Sequence, residues 1–186
     1  QKHQILKLKT QLLAINLILS SLIFGQENRT YISAYKTARM LEKKGDVDGA
    51  IAIYEGILTK NPNQTQSVQS LKMLFLNYQK YKKGIDFFRN RLSQNPNDFK
   101  NYSELGQLHY LNGQYKEAKS VWYSGINNFK HNRSSYRIMI SMFGKHGLDE
   151  DIGIILKMGK DTFGKPFLSY ETGVYYQSRQ LYDKAM

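Results

Sequence analysis

One arrangement of large and small residues returns every 34 positions along this chain: Ala50, Gly84 and Ala118 are each 34 apart, and so are Tyr54, Phe88 and Trp122. Pro62 and Pro96 share a phase with Lys130; Gly45, Gln79, Gly113 and Gly147 share another. Leu71, Leu105 and Met139 repeat, as do Leu41, Phe75, His109 and Phe143. A period of this length means stacked copies of one supersecondary unit, each burying its apolar face against the next.

The unit is plainest from Tyr102 to Phe129, where two helical patterns flank a turn at Asn112-Gly113. Small residues (Gly106, Ala118, Gly125) stand where paired helices must come close, and large ones (Tyr102, Leu105, Trp122) where they interlock. This spacing predicts first helices over Tyr31–Lys44, Thr65–Tyr78, Phe99–Asn112, Arg133–His146 and Phe167–Arg179, with partners over Val47–Lys60, Tyr81–Gln94, Tyr115–Asn128 and Asp149–Asp161. Asn61-Pro62-Asn63 and Asn95-Pro96-Asn97-Asp98 cannot continue a helix and offer capping side chains to the next one. Gly45, Gly113 and Gly147 suit the left-handed residue that ends a first helix.

These residues resemble the tetratricopeptide repeat, a 34-residue helix-turn-helix unit. The match is carried by Ala38, Leu41, Ala50, Tyr54 and Pro62 in the first unit, and by Leu71, Phe75, Phe88 and Pro96 in the second. Tyr102, Leu105, Gly106, Ala118, Trp122 and Gly125 carry it in the third, Tyr136, Met139, Phe143, Gly147 and Leu156 in the fourth, and Gly173, Tyr176 and Ala185 in the fifth. His109 departs from the family's usual aromatic ring, and Lys72 and Ile140 from its small first-helix residue. The Sel1-like repeat, slightly longer and richer in glycine, fits less well. The resemblance implies an all-α, right-handed superhelical solenoid of antiparallel helix pairs. Its units would be 31–64, 65–98, 99–132, 133–165 and 166–186, the last stopping mid-helix without a polar cap, so the chain is expected to continue beyond residue 186.

Residues 1–25 read differently. A basic start (Lys2, Lys7, Lys9) precedes an apolar run from Leu12 to Phe24, then Gly25 and the polar residues 26–30, a short linker. That is the pattern of a secretory signal peptide. The rival is an uncleaved N-terminal anchor, although the run of ~13 residues falls short of the ~20 needed to span a bilayer. Either reading sends the chain out of the cytoplasm, to the periplasm, cell envelope or medium. With no cysteine, disulfides, thiolate metal sites and cysteine nucleophiles are excluded. Of the net charge of +12, three lysines belong to the leading segment; the remainder, 24 basic against 15 acidic side chains, favours anionic partners.

In arrays resembling this one, first helices line a concave groove. Counting helical positions, the groove would present Tyr35, Lys36, Arg39 and Lys43, then Gln66, Gln69, Met73 and Asn77, then Lys100, Ser103, Gln107 and Tyr110. Arg137, Ser141 and Lys145 would follow from the fourth unit, and Tyr170, Val174 and Gln177 from the fifth. Amides, tyrosines and an excess of basic groups suit a protein or peptide partner, an acidic one best. Family members that clamp a chaperone's carboxylate tail use a lysine and an asparagine on the first helix; Tyr35 and Arg39 stand there, which rejects that partner.

Nothing in the sequence points to catalysis. His3, His109, His131 and His146 are scattered without metal-ligand spacing, so no metal or other cofactor is expected, and His109 is read as a packing residue. Asp149-Glu150-Asp151 opens a helix, where negative charge complements the dipole. The basic-aromatic stretch Tyr78-Gln79-Lys80-Tyr81-Lys82-Lys83 is read as a turn and helix start rather than a nucleic-acid site. Membrane contact is expected only through an uncleaved N-terminal segment. Asn-X-Ser/Thr triplets begin at Asn28, Asn63, Asn101 and Asn132. The reading is a non-catalytic binding scaffold of the cell envelope, with a helper repeat domain of a larger envelope enzyme or assembly machine as the alternative. Binding to an anionic membrane or polymer is a third possibility, marked by steep loss of binding as salt rises.

Overall fold

The computed structural model describes residues 30–164, together with Leu13, Ile15, Asn16, Ser20, Gln26 and Gly173. Its described residues are helical or in turns, without a strand. Residues 30–44 are helical (α1), followed by α2 (Val47–Lys60), α3 (Thr65–Asn77), α4 (Tyr81–Gln94), α5 (Phe99–Leu111), α6 (Tyr115–Asn128), α7 (Arg133–Lys145) and α8 (Asp149–Phe163). The chain divides into two compact units, Gln1–Asn77 and Tyr78–Met186. The first contains α1, α2 and α3. The second contains α4 to α8. Most of the signal-peptide assignment over 1–25, of the linker and of the fifth repeat, Tyr170 included, lies outside the described residues.

Every expected helix start from Val47 to Asp149 coincides with an observed one, and α2, α3, α5 and α7 are each capped by a side chain. Asp46 Oδ1 accepts from the Gly49 amide at 2.9 Å, Asp98 Oδ1 from Lys100 at 3.0 Å and Asn132 Oδ1 from Ser134 at 3.0 Å. Such caps satisfy amides that have no partner inside the helix. At α3 the cap is Gln64, whose Oε1 accepts from the Ser67 amide at 2.6 Å, and not the side chain of Asn63. The first helices end one residue early, at Asn77, Leu111 and Lys145. In each turn that follows, the residue in the expected phase takes a positive φ: 80° at Gly45, 53° at Gln79, 78° at Gly113 and 68° at Gly147. Gln79 is the non-glycine among them and bears the steric cost of the left-handed region.

Unit 1 is closed by Ala38, Ala50, Ile51 and Tyr54 from α1 and α2, with Leu71, Leu74 and Phe75 from α3, all buried. Leu41, expected in the packing set, is half-buried. In unit 2, α5 packs against α4, α6 and α7, and nine of its 13 residues are buried. The core between the pairs α5/α6 and α7/α8 contains Phe99, Ala118, Trp122, Ile126, Tyr136, Met139, Phe143 and Leu156. Leu105 and Phe88 are buried as well. A Cβ on Gly106 would overlap the Trp122 indole at Nε1, and one on Gly125 would lie 2.8 Å from Tyr102 Cβ. The glycines leave room for the rings. Trp122 completes its fit by donating from Nε1 to the Ser103 carbonyl at 3.2 Å, as a buried indole N–H requires. Burying a side chain of this class contributes ~1.5–3 kcal/mol, so the repeat signature records the interior.

Candidate protein-binding faces

In unit 1, α1 and α3 are drawn together by a polar seam. The Tyr31 hydroxyl donates to Gln66 Oε1 at 2.9 Å and accepts from Gln64 Nε2. The Tyr35 hydroxyl and Ser70 Oγ lie 3.2 Å apart. The ring of Tyr35 rests 6.0 Å from that of Tyr31 and 5.4 Å from that of Tyr54. Tyr54 donates to Glu42, which also pairs with Arg39 at 2.6 Å. Burial, with the Glu42 carboxylate second, pushes the Tyr54 phenol above its ordinary range. Tyr35 therefore serves the packing of the unit in addition to its surface, while Arg39 stays exposed. Lys36 and Lys43 on α1, with Gln66, Gln69, Met73 and Asn77 on α3, are all exposed, as helical counting expects. Met73 is 43% exposed, an apolar side chain among polar ones.

In unit 2 the expected positions separate. Lys100 at the start of α5 is exposed, as are Arg137, Ser141 and Lys145, which form one stripe along α7. Ser103 and Gln107 are each 5% exposed and present no open surface. A helix packed by three neighbours has little free face, and helical counting on α5 alone does not register those neighbours. Tyr110 is half-buried: its ring lies 4.1 Å from His146 and 4.9 Å from Tyr115, and its hydroxyl donates to the His146 carbonyl at 3.3 Å. The His146 ring also stacks on Trp122, at 5.9 Å and 23°. Burial, then the charge of Lys145, holds the His146 imidazole below its ordinary value.

Two polar arrangements are not evident from helical counting. The seam of Tyr31, Tyr35, Gln66 and Ser70 leaves a faint signal in the sequence, two i,i+4 pairs 35 residues apart. The second lies between α6 and α8, where Asp151, 5% exposed, accepts from the Tyr123 hydroxyl at 2.8 Å and pairs with Lys119 Nζ at 2.7 Å. Burial first, and Asp151 second, raise the Tyr123 phenol. The acidic triplet does open α8, and its third member joins two helix pairs. His109 is buried, with Nδ1 2.8 Å from Gln114 Oε1. Asn101 is 2% exposed, which closes that triplet to glycosylation. Among the described residues, no three His, Asp or Glu side chains could hold one metal ion. No helix among them is long and apolar enough to cross a membrane.

No protein-family model matches the chain. It is 27% identical over 99 residues to the BBSome complex member BBS4 of Bos taurus, covering 53% of this chain and 18% of that protein, so it spans less than a fifth of the curated relative's length. Among solved structures it resembles MamA, with a TM-score of 0.49 and 18% identity over 84% of this chain and 86% of the other. A tetratricopeptide-repeat protein of Thermus thermophilus, TTC0263, gives a TM-score of 0.49 and 15% identity over 83% and 86%. What assigns the tetratricopeptide-repeat fold is internal to the chain: helix pairs recurring in one phase, each described first helix followed by a left-handed residue, and most of the large and small signature side chains of the first four units buried.

Proposed function

We propose that this chain is a non-catalytic protein-interaction scaffold of the cell envelope, whose first-helix faces take up a protein or peptide segment rich in acidic residues. The observation that carries it is the contrast between positions. Most of the helical signature side chains are consumed in the core, while Lys36, Lys43, Gln69 and Met73 in unit 1, and Arg137, Ser141 and Lys145 in unit 2, stay exposed on first helices. A face that mixes basic groups, amides and one flexible apolar side chain fits an extended polypeptide better than a small molecule. Export is supported by the charge and hydropathy pattern of residues 1–25; N-terminal sequencing of the exported protein should begin at Gln26.

A random-peptide library displayed on phage, panned against the purified chain, should yield sequences enriched in Asp and Glu. Their affinity should drop more than tenfold, about 1.4 kcal/mol, in a Lys36→Glu/Lys43→Glu variant. Recovery of no peptide, or binding indifferent to both charges, would sink the reading. A second reading, repeats serving a larger assembly, is favoured by the similarity to a protein described as a complex member, of which only 18% is matched. It predicts that the native protein elutes with other subunits and not alone.

A further inference from the structure

The basic-aromatic stretch at the start of unit 2 is not absorbed by the proposed peptide-binding faces. Tyr78 is 50% exposed, Gln79 turns the backbone through φ 53°, and α4 then opens with Tyr81, Lys82 and Lys83. Lys80 is its N-cap residue and makes no side-chain capping bond, and no acid lies in the first turn of α4. A shallow cleft of about 350 Å³, lined by residues 79 to 83 and Asn112, joins this edge to the end of α5. Further along come Leu111, 38% exposed, Tyr115, 56% exposed, and exposed Lys116. The turn-side edge of unit 2 thus combines exposed Lys82, Lys83 and Lys116 and half-buried Lys80 with two tyrosines and a leucine at the surface. Glu117 beside Lys116, and Asp86 paired with Arg89 at 2.9 Å, are the acids nearest in sequence.

We propose that this edge docks on the surface of an anionic lipid bilayer, with Lys80, Lys82, Lys83 and Lys116 meeting the headgroups and Tyr78 and Tyr115 settling at headgroup depth. The proposal does not rest on the peptide-binding reading. Charge complementarity carries it, since each lysine near an anionic leaflet adds to attraction without a fixed geometry. Tyrosine, apolar along the ring and polar at the tip, suits the boundary between headgroup and acyl chain. A nucleic acid fits less well: the edge has no arginine, and the Tyr115 ring already packs edge-on against Tyr110, which makes it a poor platform for a stacked base. The cleft is too open to enclose a free anion.

The test is co-sedimentation of the full chain with vesicles of phosphatidylcholine alone and of phosphatidylcholine mixed with phosphatidylglycerol. The N-terminal segment, with Lys2, Lys7 and Lys9, adds to the anionic preference equally in the wild type and both variants, so the difference between the chains isolates the edge. The wild type should prefer the anionic vesicles, and the preference should fade as salt rises. Each lysine is expected to be worth roughly fivefold, so Lys80→Gln/Lys82→Gln/Lys83→Gln should cut the preference on the order of a hundredfold. A control of equal charge, Lys60→Gln/Lys157→Gln/Lys160→Gln, should keep most of it. Helical circular dichroism of both triples should match the wild type. Equal binding to both vesicle types, or equal loss in the two triples, overturns the proposal. So does retention of heparin or a single-stranded oligonucleotide through these lysines without any vesicle preference.

Discussion

In the pair α5/α6 the close approach of two helices is made by a glycine beneath a tryptophan, Gly106 under Trp122. One period later, in α7/α8, the same positions carry Ile140 and Leu156, and the small Ala118 is answered by Ile152. Ala118 and Ile152 are both fully buried, and Ile140 packs on the same core. The two pairs fill equivalent space, one by setting small against very large, the other by setting medium against medium. A packed interface constrains the summed volume across two helices and not the identity at either position. The family signature is strong in the third unit and faint in the fourth for this reason, although both form.

The two pairs differ most at Trp122, where the fourth carries Leu156. Trp122→Ala should lower the stability of the chain by ~3–5 kcal/mol, read from denaturant unfolding, because it empties a slot that Gly106 cannot refill. Gly106→Ala should cost ~1–3 kcal/mol by overpacking against the ring. The double variant Gly106→Ile/Trp122→Leu, which imports the solution of the fourth pair, should be more stable than the sum of its two single variants predicts. Additive losses there would mean that the two positions do not share one volume.

A smaller effect is expected at the contact between the pairs. Tyr123→Phe removes a hydrogen bond from buried Asp151 and leaves the fold's shape intact; a loss of ~1–3 kcal/mol in thermal unfolding is expected. Lys119 remains as partner to that carboxylate, which places the effect toward the lower end of that range. No measurable change would show that Lys119 alone suffices.

The turns sharpen the contrast from the other side, since here the two pairs are alike. Gly113 and Gly147 have positive φ and nothing within 4 Å of an added Cβ. Gly113→Ala and Gly147→Ala should therefore cost the same, ~1 kcal/mol each, from backbone strain alone. Gln79→Gly should run the opposite way, a gain of ~0.5–1 kcal/mol in the melting measurement, because it relieves φ 53°.

Much of the helical layout is legible in the residues themselves, and the reason is locality. Asp98 and Asn132 cap the amides two residues on; Gly45, Gly113 and Gly147 stop helices by their own backbone freedom; proline forbids continuation. Such rules act over a few residues and repeat every 34. The candidate faces are legible only in part. Lys36, Arg39, Lys43, Gln69, Met73, Arg137 and Lys145 are exposed as helical counting expects, whereas Ser103 and Gln107 are buried and Tyr35 is half-buried against its unit. Helical counting takes one helix at a time, and burial depends on how many neighbours it has.

The sequence by itself therefore determined the repeat, its phase, its turns and most of the large apolar side chains that become interior, since periodicity and capping are written in nearby residues. Only the tertiary structure decided that Tyr31 and Tyr35 join α1 to α3, that Asp151 couples α6 to α8 through Tyr123 and Lys119, and that Lys80, Lys82 and Lys83 share an open edge with Asn112. Each of these brings together residues from different helices. Their distances follow from how whole helices pack, which no local pattern specifies.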